Sequence, residues 1–204
     1  MTRWTILIVA ACLAIPHSAT AGKFNEVLSI GDVGPSWEKL PGIDNEDHAL
    51  ADLKDKAVVV VVFTCNSCPY AQDYEDRINA FVEKHCGPQG KVALVAINVN
   101  TIVSDRLLAM QQRAKEKKFQ FPYLYDETQQ IAKDYGATYT PEFFVLDQDR
   151  KLVYTGAMDD NSDPAKAKVN YLEAAVAAAL AGEKPEVAET GPVGCRVRYE
   201  RKKR

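Results

Sequence analysis

Hydrophobic positions fall into two periods along this chain. Residues 57–63 are an unbroken apolar run, mostly valine, which predicts a central strand covered on both faces. Residues 69–84 place Tyr70, Tyr74, Ile78 and Phe81 at helical spacing on one face, and Gly87-Pro88-Gln89-Gly90 ends that helix. Residues 92–99 are a second buried-type strand. Residues 105–118 follow as a charged amphipathic helix with Ser104 as its N-cap, and 127–135 as a helix closed by Gly136. A hairpin is predicted from 143–147 and 152–155 around Gln148-Asp149-Arg150. The last helix is read from Asp163-Pro164 to Ala181-Gly182.

Ahead of the first strand, residues 24–54 are mixed. They hold a short hairpin around Pro41-Gly42-Ile43-Asp44 and a single helical turn at 48–53. The order βαβα(α)ββα has two helix-separated, parallel strands and an antiparallel closing hairpin. It predicts one α/β domain over 22–182, a central mixed sheet with helices on both faces. Residues 183–204 lack periodicity and read as a loosely packed or extended tail with a basic end. That end is read as solvated.

The first 21 residues carry a different pattern. Arg3, an apolar stretch over 4–15 and Ala19-Thr20-Ala21 read as an export signal cleaved after Ala21. The apolar run is too short for a membrane span, and Pro16 interrupts it. Lipid attachment at Cys12 and a buried N-terminal helix are the alternatives. The expected location is periplasmic, without a stable membrane span. A net charge of −3 gives no reason to expect nucleic acid as a partner.

Export changes the meaning of the cysteines, because thiols pair in an oxidising compartment. Without Cys12, four remain: Cys65, Cys68, Cys86 and Cys195. Cys65 and Cys68 sit where a buried strand meets a helix N-terminus, whose free N–H groups and dipole stabilise a thiolate. Cys65 is then the nucleophile, and Cys68 resolves the mixed disulfide. Zinc needs further ligands and haem attachment a His after Cys68, where Pro69 stands. No metal or organic cofactor is called for, because the dithiol itself carries two electrons. A purely structural or metal-binding module is the non-enzymatic alternative. Cys86 and Cys195 are read as a structural disulfide tying the tail to the first helix. The alternative makes Cys195 a third redox cysteine.

Several motifs resemble the thioredoxin-like superfamily, in its redoxin (AhpC/TSA-type) branch of exported thiol–disulfide proteins and peroxiredoxins. They are Gly31-Asp32…Pro35, Leu53-Lys54-Asp55-Lys56, Phe63-Thr64-Cys65-Asn66-Ser67-Cys68-Pro69, Phe121-Pro122-Tyr123-Leu124-Tyr125-Asp126, Tyr139-Thr140-Pro141 and Gly194-Cys195. The resemblance spans about 30–180. It implies a thiol–disulfide oxidoreductase acting on protein thiols or disulfides and served by a redox partner protein. Pro141 would be a cis-proline beside the dithiol, and Thr140 would present its backbone to an extended substrate. A thiol peroxidase acting on small hydroperoxides is the alternative activity, although the peroxidase Pro-x-x-x-Thr-x-x-Cys motif is absent. The buried carboxylate of thioredoxins is missing from 57–63, leaving Glu142 or water as proton acceptor for Cys68. Thr64, in place of an aromatic residue, is a candidate donor to the Cys65 thiolate.

Overall fold

The structure, a computed structural model, describes residues 22–200. The predicted leader, the Cys12 alternative and the extreme basic end lie outside them. Two short strands, β1 (Leu40–Pro41) and β2 (Asp47–His48), form the predicted first hairpin, and a 3-10 turn at Leu50–Leu53 follows. The core elements are β3 (Val58–Phe63), α1 (Pro69–His85), β4 (Val92–Asn98), α2 (Leu107–Lys117), β5 (Tyr123–Tyr125) and α3 (Gln130–Tyr135). After them come β6 (Tyr139–Thr140), β7 (Glu142–Leu146), β8 (Leu152–Gly156), α4 (Tyr171–Ala181) and β9 (Cys195–Arg196).

The five-stranded sheet has the order β5-β4-β3-β7-β8. β3 pairs in parallel with β4 and antiparallel with β7, while β4 and β5 are parallel. All six residues of β3 are fully buried, as expected for a middle strand whose alternate side chains enter two different cores. Val58, Val60 and Val62 face Ile78 and Phe81 of α1, Met110 of α2 and Leu172 and Val176 of α4. Val59, Val61 and Phe63 face Trp37, Leu50, and Ala132 and Tyr135 of α3. Each fully buried Val is worth ~1.5–3 kcal/mol relative to exposure. Helices cover both faces, and the fold is thioredoxin-like.

Five local readings need correction. β5 was not recognised as a strand, and it adds a third parallel strand after α2. Tyr70 stays exposed on α1, while Tyr74, Ile78 and Phe81 are buried. Ser104 lies inside a 3-10 turn at Val103–Asp105, and α2 starts after Arg106 with no side-chain cap. Asp163-Pro164 opens only a turn, in which Asp163 accepts from the Ala165 amide at 3.0 Å. The last helix begins later, where Asn170 accepts from the Glu173 amide at 2.9 Å as a side-chain N-cap. Finally, the tail is not loose: β9 pairs with β6, and Val197 is buried.

Candidate active site

Cys65 and Cys68 lie in the loop between the end of β3 and the start of α1, only 3% and 1% exposed. Cys68 is the N-cap of α1: its sulfur accepts from the Ala71 amide at 3.4 Å, and Pro69 occupies the first helical position, where no N–H is needed. The Cys68 thiol also donates to the Thr140 carbonyl at 3.1 Å. Cys65 Sγ lies 3.4 Å from Thr140 Oγ1 and 3.7 Å from Ser67 Oγ. The hydroxyls that reach Cys65 therefore belong to Ser67 and Thr140. Thr64, the candidate from sequence, is instead placed by its amide, which donates to the Ile97 carbonyl at 3.0 Å. The Thr140–Pro141 peptide is cis, and it brings the Thr140 carbonyl and hydroxyl to the two sulfurs.

The two intervening residues are strapped to the segment after β4. Asp105, fully buried, accepts from the Ser67 amide at 2.9 Å and from its hydroxyl at 2.6 Å. Asn100 Nδ2 donates to the same carboxylate at 3.1 Å. Asn66 donates to the Ser104 carbonyl at 2.9 Å and accepts from the Tyr123 hydroxyl at 3.1 Å. Sequence reading missed this support entirely. Its signal was present in the polar residues Asn98, Asn100 and Asp105 directly after an apolar strand.

The thiols titrate as a pair, so the two proton losses belong to both sulfurs together. The bond between them is the largest cause of the split: one loss comes down to about 5, and the other is pushed well above the usual thiol range. Burial opposes charge on either sulfur. The Thr140 carbonyl has only lone pairs to offer, so its contact keeps the remaining proton on Cys68. The charge is left on Cys65, beside the Thr140 hydroxyl, while the Ser67 hydroxyl proton goes to Asp105.

The hydrogen bonds described for Glu142 hold the backbone and do not reach either sulfur. Its carboxylate accepts from the Thr138 and Tyr139 amides at 2.8 and 3.0 Å, holding the chain just before the cis peptide. Burial pushes its carboxyl up to about 7 despite those two amides. Because the folded value lies above the unfolded value near 4.5, the folded state holds the extra proton between them. Stability is therefore lost as pH rises from about 4.5 to about 7 and is level above that. Thermal unfolding across this window should show wild type weakening by ~2–3 kcal/mol relative to Glu142→Gln. Parallel pH profiles for the two proteins would contradict this assignment.

The Cys86–Cys195 bond expected from sequence is ruled out by geometry. Cys86 caps the far end of the 17-residue α1, whereas Cys195 packs against Cys65, Cys68 and Ala71 at its start. At ~1.5 Å per residue the helix separates the two cysteines by roughly 25 Å, and a disulfide needs Cα atoms within about 7 Å. All four described cysteines are free thiols. Burial pushes the Cys86 thiol up to about 11.

The model of the AhpC/TSA family matches residues 30–155, from the first turn to the end of the central hairpin. The chain belongs to that family. It is an oxidoreductase of the thioredoxin-like redoxin type. An uncharacterized conserved protein of Geobacillus kaustophilus is similar at 32% identity and a TM-score of 0.78, over 86% of this chain and 95% of that one. The thiol-disulfide oxidoreductase ResA of Bacillus subtilis is 27% identical over 158 residues, which are 76% of this redoxin and 83% of ResA. The thioredoxin domain of a thiol-disulfide oxidoreductase from Bacteroides vulgatus shares the fold, at 16% identity and a TM-score of 0.53, over 64% of this redoxin and 89% of that domain.

Proposed function

We propose that this redoxin is a thiol–disulfide oxidoreductase acting on protein disulfides through Cys65 and Cys68. One observation carries the reading: the two sulfurs are buried together at a helix N-terminus, against Thr140 of the cis peptide. The Cys65 thiolate attacks a substrate disulfide, forming a mixed disulfide and releasing one substrate thiolate. Cys68 then attacks Cys65, the mixed bond breaks, and the second substrate sulfur leaves reduced. The substrate gains two electrons, the dithiol becomes a disulfide, and a reducing protein partner restores it. The similarity to ResA supports this substrate class. The leader-like pattern of residues 1–21 and the absence of a membrane-crossing helix among the described residues support an exported, periplasmic protein.

The hydroperoxide reading asks for a guanidinium at the reactive sulfur, and the groups bonded to Cys65 are the hydroxyls of Ser67 and Thr140. Turnover of a protein disulfide and of hydrogen peroxide, measured on one preparation with the same thiol reductant, separates the two. Disulfide reduction well above the reductant alone is expected. Peroxide turnover without disulfide turnover would overturn the reading.

A further inference from the structure

The edge beside the dithiol is already occupied. Cys195 lies opposite Thr140 and Arg196 opposite Tyr139 in an antiparallel pair, and the Val197 amide donates to the Thr138 carbonyl at 2.9 Å. A two-residue pairing is weak alone, but side-chain bonds hold this strand beyond it. Gln129 Nε2 donates to the Arg198 carbonyl at 2.9 Å, the Arg198 amide to Asn100 Oδ1 at 3.0 Å, and the Tyr199 hydroxyl to the Ala137 carbonyl at 2.6 Å. Gly194 permits the approach: its φ is +153°, and a Cβ there would lie 2.0 Å from the Thr140 carbonyl oxygen. The strand thus docks as an added peptide docks on a free sheet edge. The side chain it delivers is a cysteine, packed against Cys65 and Cys68 and facing the Tyr70 amide of the same helix N-terminus.

We propose that the C-terminal strand is a built-in substrate of the dithiol, and that Cys195 is a third redox cysteine exchanging with the Cys65–Cys68 disulfide. This rests on the redox reading of the dithiol given above. Once the pair is oxidised, the Cys195 thiolate attacks the Cys68 sulfur. The Cys68–Cys195 bond forms, the Cys65–Cys68 bond breaks, and Cys65 leaves as a thiolate, while the proton released by Cys195 passes to solvent. Two sulfurs are oxidised before and after, so no outside oxidant takes part. The step is gated by the state of the pair. In the reduced protein, burial and then the bond to Cys68 push Cys195 up to about 11. Oxidation removes the negative charge of the dithiol and the Cys68 thiol bond, and leaves the Tyr70 amide and Arg198 favouring the Cys195 thiolate. The exchange returns Cys65 as a free nucleophile and stores the oxidising equivalent on the tail.

The test is a glutathione redox titration of the full chain, quenched by alkylation and mapped by mass spectrometry of non-reduced tryptic peptides. Both Cys65–Cys68 and Cys68–Cys195 linkages are expected, with Cys86 alkylated at every ratio. Cys65→Ser should retain an intramolecular Cys68–Cys195 bond. Gly194→Val should lower that linkage by about tenfold or more, by undocking the strand, while Cys65–Cys68 still forms. If Cys65–Cys68 forms but Cys195 remains alkylated in wild type and in Cys65→Ser, or bonds only between chains, the inference is wrong and the dithiol reading stands. If Cys65 and Cys68 never pair, the dithiol reading itself falls.

Discussion

Replacing Cys65 with Ser should bring disulfide turnover down to the reductant background, a loss on the order of a thousandfold or more. The reason lies in what ionises. A serine hydroxyl keeps its proton at neutral pH and forms no mixed disulfide, whereas the dithiol as a pair loses its first proton at about 5 and the Thr140 carbonyl holds the second on Cys68. Cys68→Ser should behave differently. It leaves the Ala71 amide with an oxygen acceptor and keeps Cys65 in place, so attack proceeds but resolution is lost. Such a variant accumulates substrate covalently bound to the protein. Steady-state reduction of a protein disulfide measures the first effect, and non-reducing gel electrophoresis the second. Full turnover in Cys65→Ser would remove the dithiol from the mechanism.

The second large effect is on stability, at a charge cluster that fixes the helix bearing the dithiol. Asp159, 6% exposed, accepts from the Tyr74 hydroxyl at 2.9 Å and from Arg77, both on α1. The Arg77 guanidinium lies 3.7 Å from the centre of the Tyr74 ring and also donates to the Asn161 and Ser162 carbonyls at 3.1 and 2.7 Å. Asp159→Ala leaves a largely buried guanidinium without its counter-charge and the Tyr74 hydroxyl without its acceptor. The two carbonyls and partial solvent access moderate the loss, which is expected at about 3 kcal/mol. In a chain of this size that lowers the melting temperature by roughly 6–12 °C. Asp159→Asn keeps an acceptor for Tyr74 and should lose less. Thermal unfolding checks both, and an unchanged melting temperature in Asp159→Ala would contradict the role given to the cluster.

What was legible beforehand follows from how locally each feature is encoded. The run 57–63 suits a doubly covered strand better than an edge, because its β-branched residues are apolar on both alternating faces. Cys68-Pro69 announced a helix N-terminus by its own chemistry. β5 is three residues long, below the length at which alternation can be seen, and it exists because β4 offers it an edge. The start of α4 was displaced because Asp163-Pro164 and Asn170 carry the same kind of start signal, and only tertiary packing chooses between them. β9 was invisible for a similar reason. Its two residues have no period, and their position comes from contacts with Tyr139 and Thr140 more than fifty residues away. That long-range pairing is also why Cys195 was first matched to Cys86 instead of the dithiol. Asp105 was read as the first residue of a charged helix, whereas the chain turns it inward to hold Ser67.

The central claim is that Cys65 is the attacking sulfur because the Thr140 carbonyl keeps a proton on Cys68. It is tested most directly by trapping a disulfide substrate on the Cys68→Ser and Cys65→Ser proteins in parallel and mapping the bonded cysteine by mass spectrometry. The prediction is a mixed disulfide at Cys65 in Cys68→Ser, and none at Cys68 in Cys65→Ser. Substrate bonded to Cys68 in Cys65→Ser, with Cys65 left free in Cys68→Ser, would contradict it.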